Sequence, residues 1–151
     1  MKALRFTKQG YEDLQKKYQE TLASRPDAVE HLRKSREMGD LSENGYYKSS
    51  RAKLSFIDRQ LREMSSSLKR ATVISTHNNT TIGIGCKVTL EIDGTVEHFE
   101  IVGDMEADPG NGKISLLSPL GSVLNGKTKN DTAILKAPSG ERHYSIKDIN
   151  Y

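Results

Sequence analysis

Two periodicities divide the chain. From Tyr47 onward, apolar or small residues recur at Ser50, Leu54, Ile57, Leu61, Met64, Leu68 and Ala71, in steps of three and four without a break. That is a heptad seam, and it predicts a long helix with one face against a partner helix. The arm before it is less regular. Tyr11, Leu14, Tyr18 and Leu22 open a stripe that Val29 and Leu32 continue, and Thr7 is the predicted N-cap. Pro26 removes a backbone donor, so the helix is predicted to kink or restart there, with Ser24 as a new cap and Asp27 in the new first turn. Two seams of similar length around a short loop predict an antiparallel hairpin, each arm of about 30 residues reaching about 45 Å.

Past a polar, aperiodic stretch that ends at Thr81, the pattern shortens to alternation. Residues 87–92 and 97–102 read as strands around the turn Asp93-Gly94, and residues 113–116, 132–137 and 142–146 read as further strands. Asp108-Pro109-Gly110-Asn111-Gly112 and Pro138-Ser139-Gly140 are turn chemistry. Residues 119–125 predict one short helix, with Ser118 as its cap, Pro119 at its first position and Gly126 at its end. The predicted fold is therefore α+β in two domains: a coiled-coil hairpin over residues 1–75, a linker over 76–81, and a small, strongly antiparallel sheet with one short helix over 82–151.

Composition supports the division. Hydrophobic residues make up 34% of the 151 and charged residues 28%, lean for one compact core but normal if part of the chain is an exposed coiled coil. The single cysteine, Cys86, cannot form an internal disulfide, and His31, His77, His98 and His143 show no metal-ligand spacing. With no apolar run long enough for a signal peptide or a membrane span, the expectation is a soluble, cytoplasmic protein with no membrane partner. The net charge of +3 hides an asymmetry. Residues 1–75 hold 16 basic and 10 acidic residues, net +6, and residues 76–151 hold 7 and 10, net −3. A basic front half and an acidic back half suggest two surfaces with different partners.

The hairpin loop, Gly39-Asp40-Leu41-Ser42-Glu43-Asn44, is the most informative stretch. Gly39 suits a left-handed helix end, and Asp40 or Ser42 suits the cap of the second arm. Asp40 and Glu43 lie three apart, which puts both carboxylates on nearly one face if residues 41–44 begin a helix. Two carboxylates hold a divalent cation weakly by themselves. Inserted into a site that already holds metal and phosphates, they could complete a metal's shell or orient a water. Capping is the competing role for the same residues. Arg33, Lys34 and Arg36 before the loop, and Lys48, Arg51 and Lys53 after it, become neighbours in an antiparallel hairpin and suit a nucleic-acid backbone. Tyr46, off the seam, is the aromatic available for stacking on a base, whereas Tyr47 belongs to the seam.

Thr7-Lys8-Gln9-Gly10, Arg25-Pro26, and Arg36-Glu37-Met38-Gly39-Asp40-Leu41-Ser42-Glu43-Asn44 resemble the GreA/GreB family of bacterial transcript cleavage factors, closer to GreA. The second half agrees in Ile101-Val102-Gly103, Glu106-Ala107-Asp108, Ile114-Ser115, Ser118-Pro119-Leu120-Gly121, Gly126-Lys127 and Tyr144-Ser145-Ile146. The resemblance implies an FKBP-like C-terminal domain. It also implies an action: the coiled coil enters the secondary channel of a backtracked RNA polymerase, and its tip stimulates the polymerase's own cleavage of the nascent RNA 3′ end. The chain would then be no enzyme alone and would carry no cofactor of its own, its Mg²⁺ being shared with the polymerase. The resemblance matches Asp40 and Glu43 to the acidic pair that serves that metal or its water. It matches Arg36 and Arg51 to basic positions near the RNA or polymerase, and Ser118 and Pro119 to a segment that docks on the polymerase. A monomer associated with the nucleoid through polymerase, with DNA as a further contact, is implied as well.

The chain departs from the family at Glu43-Asn44-Gly45-Tyr46-Tyr47, where many members have Ala and an acidic residue at the positions of Gly45 and Tyr46. Gly45 loosens the start of the second arm. The departure is the one support for an alternative, a channel binder that inhibits or competes without cleaving. A third reading, a prolyl isomerase or chaperone with a helical arm, is disfavoured by the sparse aromatics of residues 82–151, namely Phe99, Tyr144 and Tyr151.

Overall fold

The computed structural model describes residues 2–40, 43–75 and 80–151. Its elements run β1 (Leu4–Phe6), α1 (Lys8–Arg36), α2 (Gly45–Arg70), β2 (Ala71–Val73), β3 (Lys87–Ile92), β4 (Thr95–Val102), a 3₁₀ turn (Pro109–Asn111), β5 (Lys113–Ser115), α3 (Pro119–Leu124), β6 (Thr132–Ala137) and β7 (Gly140–Asn150). Two compact units result, residues 1–11 with 71–151, and residues 12–70. The sequence division cuts the chain once, near residue 75; the compact units cut it twice, because β1 pairs in parallel with β2. Of the expected linker, residues 76–79 lie outside the described residues.

Residues 12–70 form the helical unit. The cross-links between its helices run Ser35 to Asn44, His31 to Tyr46 and Arg25 to Asp58, rising on one helix as they fall on the other, so the helices are antiparallel. Along α2 the expected seam is the inward one: Ser50, Ile57 and Met64 are buried, and Tyr47, Leu54, Leu61 and Leu68 are half-buried. Along α1 the seam differs from the apolar stripe. The inward residues are Leu14, Tyr18, Thr21, Arg25, Ala28, Leu32 and Ser35, again in unbroken steps of four and three, whereas Leu22 and Val29 are 41% and 40% exposed. Small and polar residues fill the inward positions, and the two most polar are satisfied there. Ser35, fully buried, donates its hydroxyl to the Leu32 carbonyl at 2.8 Å, and Arg25 forks onto Asp58 at 2.7 and 3.3 Å.

Pro26 does not restart the helix: α1 is one helix of 29 residues with the proline inside it. Ser24 caps nothing, donating instead to the Thr21 carbonyl at 2.7 Å, and Asp27 lies in mid-helix. The proline leaves the Leu22 carbonyl without its donor four residues on. Pro26 is exposed, so water can serve that carbonyl while Arg25 and Ala28 on either side keep the seam closed.

The other unit holds a five-stranded sheet in the order β5-β4-β3-β7-β6, antiparallel except where β4 meets β5. Its strands follow the sequence expectation, with β7 longer than the predicted 142–146. Asp93 and Gly94, at φ 49° and 78°, make the β3–β4 turn that their residue types demand. One sheet face is buried through Val88, Leu90, Ile101, Tyr144 and Ile146, and Leu124 of α3 packs with them. Cys86 lies fully buried in the same core, where burial pushes its thiol up.

The start of α1 is held in this unit by the loop after β4. Thr7 caps α1, its hydroxyl accepting from the Gly10 N–H at 3.0 Å, as its position predicted. Glu106 then takes the Thr7 N–H at 2.8 Å, the Thr7 hydroxyl, and the Gly103 N–H at 2.9 Å. Two glycines leave room for that carboxylate: a Cβ on Gly10 would lie 1.8 Å, and one on Gly103 2.0 Å, from a Glu106 oxygen. Asp104 takes the Arg5 backbone N–H at 2.9 Å and forks with its guanidinium at 3.1 and 2.7 Å.

Candidate functional site

The loop between α1 and α2 is closed by a residue that the sequence reading did not choose. Asn44 caps α2, its Oδ1 accepting from the Tyr47 N–H at 3.1 Å, and its Nδ2 donates to the Ser35 carbonyl at 2.9 Å. One amide therefore starts the second helix and ties it to the last turn of the first. Neither Asp40 nor Ser42 is needed as the cap of α2, and Ser42, with Leu41, lies outside the described residues. Because α2 begins only at Gly45, Asp40 and Glu43 both precede it, and the helical spacing expected to align them does not apply. Both are exposed loop residues, and Gly39 at φ 98° turns the chain into the loop as expected.

The basic residues sort into two groups. Arg33 is forked between Glu30 and Glu37, and Lys34 also faces Glu30. The Arg33 hydrogen bond holds the Glu30 carboxyl below the usual range, so these cations are largely offset by their own helix. Arg25 does the same to Asp58 across the hairpin. Arg36, Lys48, Arg51 and Lys53 are exposed and form no ion pair with any described residue. Those four, and not Arg33 or Lys34, are the cations available to an anionic partner.

The heptad register assigns them to flanks. His31 precedes the seam residue Leu32, Tyr46 precedes the seam residue Tyr47, and the two touch, so residues just before these seam positions share one flank of the hairpin. Arg36 follows Ser35 and Arg51 follows Ser50, which places both on the opposite flank. The predicted trio is thus split. Arg36 and Arg51 share one flank, and Tyr46, 38% exposed, lies on the other with its hydroxyl 2.7 Å from His31 Nδ1 and its ring edge-on to the imidazole. His31 is the Tyr46 partner that the sequence reading did not name, and a lone histidine off an apolar stripe carries no signal that could have found it.

In the sheet unit, Ser118 caps α3 by accepting from the Gly121 N–H at 3.0 Å, and it donates to the Ser115 carbonyl at 2.7 Å. Pro119 follows at the first helical position and is exposed, as is Leu117 before it, at 59%.

Known proteins match the chain along its length. Residues 4–73 match the family described as the N-terminal part of transcription elongation factor, and residues 77–151 match its GreA/GreB C-terminal part. The transcription elongation factor GreA of Thermodesulfovibrio yellowstonii is 38% identical over 150 residues, covering 96% of this chain and 95% of its own. That of Nitratiruptor sp. is 36% identical over 149 residues, covering 96% and 91%. The solved structure of the transcription factor Gfh1 aligns over the whole of both chains at 25% identity, with a TM-score of 0.50. With both of its parts matched and GreA proteins aligned nearly end to end, the chain belongs to the GreA/GreB family of transcription elongation factors.

Proposed function

We propose that this transcription elongation factor inserts its helical hairpin into the secondary channel of RNA polymerase and stimulates the polymerase's cleavage of backtracked RNA. The observation that carries the reading is the pairing of two exposed loop carboxylates, Asp40 and Glu43, with the uncompensated cations Arg36 and Arg51 on one hairpin flank. Asp40 and Glu43 would each give a carboxylate oxygen to a Mg²⁺ that the polymerase also holds. Bound there, the metal supplies an activated water and offsets phosphate charge. Arg36 and Arg51 meet phosphates of the extruded RNA or an acidic channel wall, and Ser118 and Pro119 belong to the docking segment. The chain acts through the polymerase's nuclease and is not an enzyme alone; it works as a monomer in the cytoplasm.

Stalled, backtracked complexes with Mg²⁺ test the reading. Asp40→Asn and Glu43→Gln should each slow cleavage about 10–100-fold, the loss typical of a weakened metal shell. A double variant that cleaves as fast as the wild type would sink the proposed role of the pair. The Gly45-Tyr46 departure favours one second reading, a channel binder without cleavage. Its signature is polymerase binding by the wild type with no shortening of the transcript.

A further inference from the structure

We propose that Tyr46 and His31 form a clasp that positions the Glu43 end of the loop, so that Tyr46 acts through its hydroxyl and not as a stacking surface. The inference rests on the cleavage reading given above. Tyr46 lies in the first turn of α2, three residues after Glu43 and next to Gly45. A glycine there costs about 1 kcal/mol of helix propensity relative to alanine, and nothing within 4 Å of its Cβ position restrains it. The start of α2 therefore needs fixing from outside the helix. Two cross-hairpin contacts provide it. Asn44 reaches the Ser35 carbonyl at 2.9 Å, and the Tyr46 hydroxyl meets His31 Nδ1 at 2.7 Å with the rings edge-on, their centroids 6.2 Å apart.

The contacts bracket Gly45 in sequence. Asn44 ties its N-terminal side to the end of α1, and Tyr46 ties its C-terminal side one turn further back, on the flank away from Arg36 and Arg51. Read together, Gly45 and Tyr46 are one compensated change: the glycine loosens the helix start and the tyrosine, finding His31, fixes it again. A tyrosine stacking on a base would have to present its ring to that base. Here the ring already packs edge-on against the imidazole, and the hydroxyl is engaged. Tyr46 is accordingly a positioning residue. It touches neither metal nor RNA, and it acts through the conformation of residues 43–46.

Tyr46→Phe keeps the ring and removes the hydroxyl, and His31→Ala removes its partner. Both variants and their combination are assayed for cleavage by backtracked polymerase across a range of factor concentrations. Each single variant is expected to lose about threefold in the saturating rate, the effect of one modest hydrogen bond, with an unchanged half-saturating concentration. The double variant should be no slower than the slower single. The inference is overturned if Tyr46→Phe cleaves like the wild type; Tyr46→Ala, assayed beside it, then shows by its own loss whether the ring stacks instead. It is equally overturned if the two single losses multiply. If the wild type itself stimulates no cleavage, the functional reading fails, and amide exchange of Tyr47 and Lys48, whose N–H groups both bond to Asn44, decides the clasp separately. Faster exchange in Tyr46→Phe supports it, and unchanged exchange overturns it.

Discussion

At the scale of single residues, the tightest constraint lies where Glu106 sits against two glycines. The two are not equivalent. At Gly10 the atoms nearest a new methyl all belong to the Glu106 side chain, which can swing away at the expense of its bonds to Thr7 and Gly103. Alanine would also favour the helix there by about 1 kcal/mol, against about 1.5–3 kcal/mol for a charged hydrogen bond if a small swing of the carboxylate gives up one of its three. Gly10→Ala is therefore expected to destabilise by only about 1 kcal/mol. At Gly103 the methyl also meets the Arg5 carbonyl oxygen at 2.3 Å and the Phe6 Cα at 2.8 Å, and that backbone is pinned in the β1–β2 pair. Gly103→Ala should cost about 3 kcal/mol, in line with severe overpacking. Urea unfolding followed by circular dichroism ranks the two, and the reverse order would show that the Glu106 carboxylate, not the β1 backbone, is the rigid partner. Asp104 adds a dependence on pH. Burial, its largest influence, pushes its carboxyl up, but the Arg5 side chain, backbone N–H and charge together outweigh burial and hold it below the usual range. A carboxyl depressed in the folded state stabilises above its unfolded pKa, about 3.9, and loses that contribution as pH falls below it. Asp104→Asn should thus lower the thermal midpoint at pH 7 and do so less and less below about pH 4; a penalty independent of pH would contradict the ion pair.

At the scale of elements, the two helices were unequally legible. The α2 seam could be read residue by residue because its inward positions are mostly apolar. The α1 seam obeys the same spacing, but Thr21, Arg25, Ala28 and Ser35 occupy it, so hydrophobicity pointed to Leu22 and Val29 on the outer side. Arg25 is tolerable there because Asp58 answers it from the other helix, and Ser35 because its hydroxyl bonds back to the Leu32 carbonyl; a single sequence displays neither pairing. The same limit explains Asn44, whose choice over Asp40 and Ser42 depends on reaching Ser35, and β1, whose three residues gain their strand identity only from β2. Turn chemistry needed no partner: Asp93-Gly94, Ser118-Pro119 and Thr7 were each legible from residue type and position. The cap of α2 yields a prediction of its own. Gly45 has no left-handed φ and no neighbour within 4 Å of its Cβ position, so Gly45→Ala should stabilise α2 by about 0.5–1 kcal/mol, chiefly by restricting the unfolded chain. A rise in the thermal midpoint is the expected result. A fall would mean that residue 45 itself needs a conformation alanine cannot share.

At the scale of the whole molecule, charge and ligand count together say where the metal chemistry must be completed. The first half of the chain carries the basic excess, yet the loop that closes its hairpin presents carboxylates, Asp40 and Glu43, between the cations of α1 and those of α2. A Mg²⁺ ion needs six oxygen ligands in near-ideal octahedral geometry and gives up its waters reluctantly. Two loop carboxylates fill two of those positions, and they come from a segment that no regular helix aligns. The basic excess of the hairpin further lowers the local attraction for a cation, by an amount that salt screens over about 8–10 Å. Binding of Mg²⁺ to the protein alone should therefore be weak, in the millimolar range typical of sites with few protein ligands, and calorimetric titration should show no stoichiometric transition at micromolar metal. Adding backtracked polymerase should change this: Asp40→Asn and Glu43→Gln should raise the Mg²⁺ concentration required for cleavage, whereas Arg36→Ala with Arg51→Ala should weaken factor binding and flatten its salt dependence. A tight, stoichiometric Mg²⁺ isotherm in the absence of polymerase would overturn the shared site, because it would require further oxygen ligands from this chain.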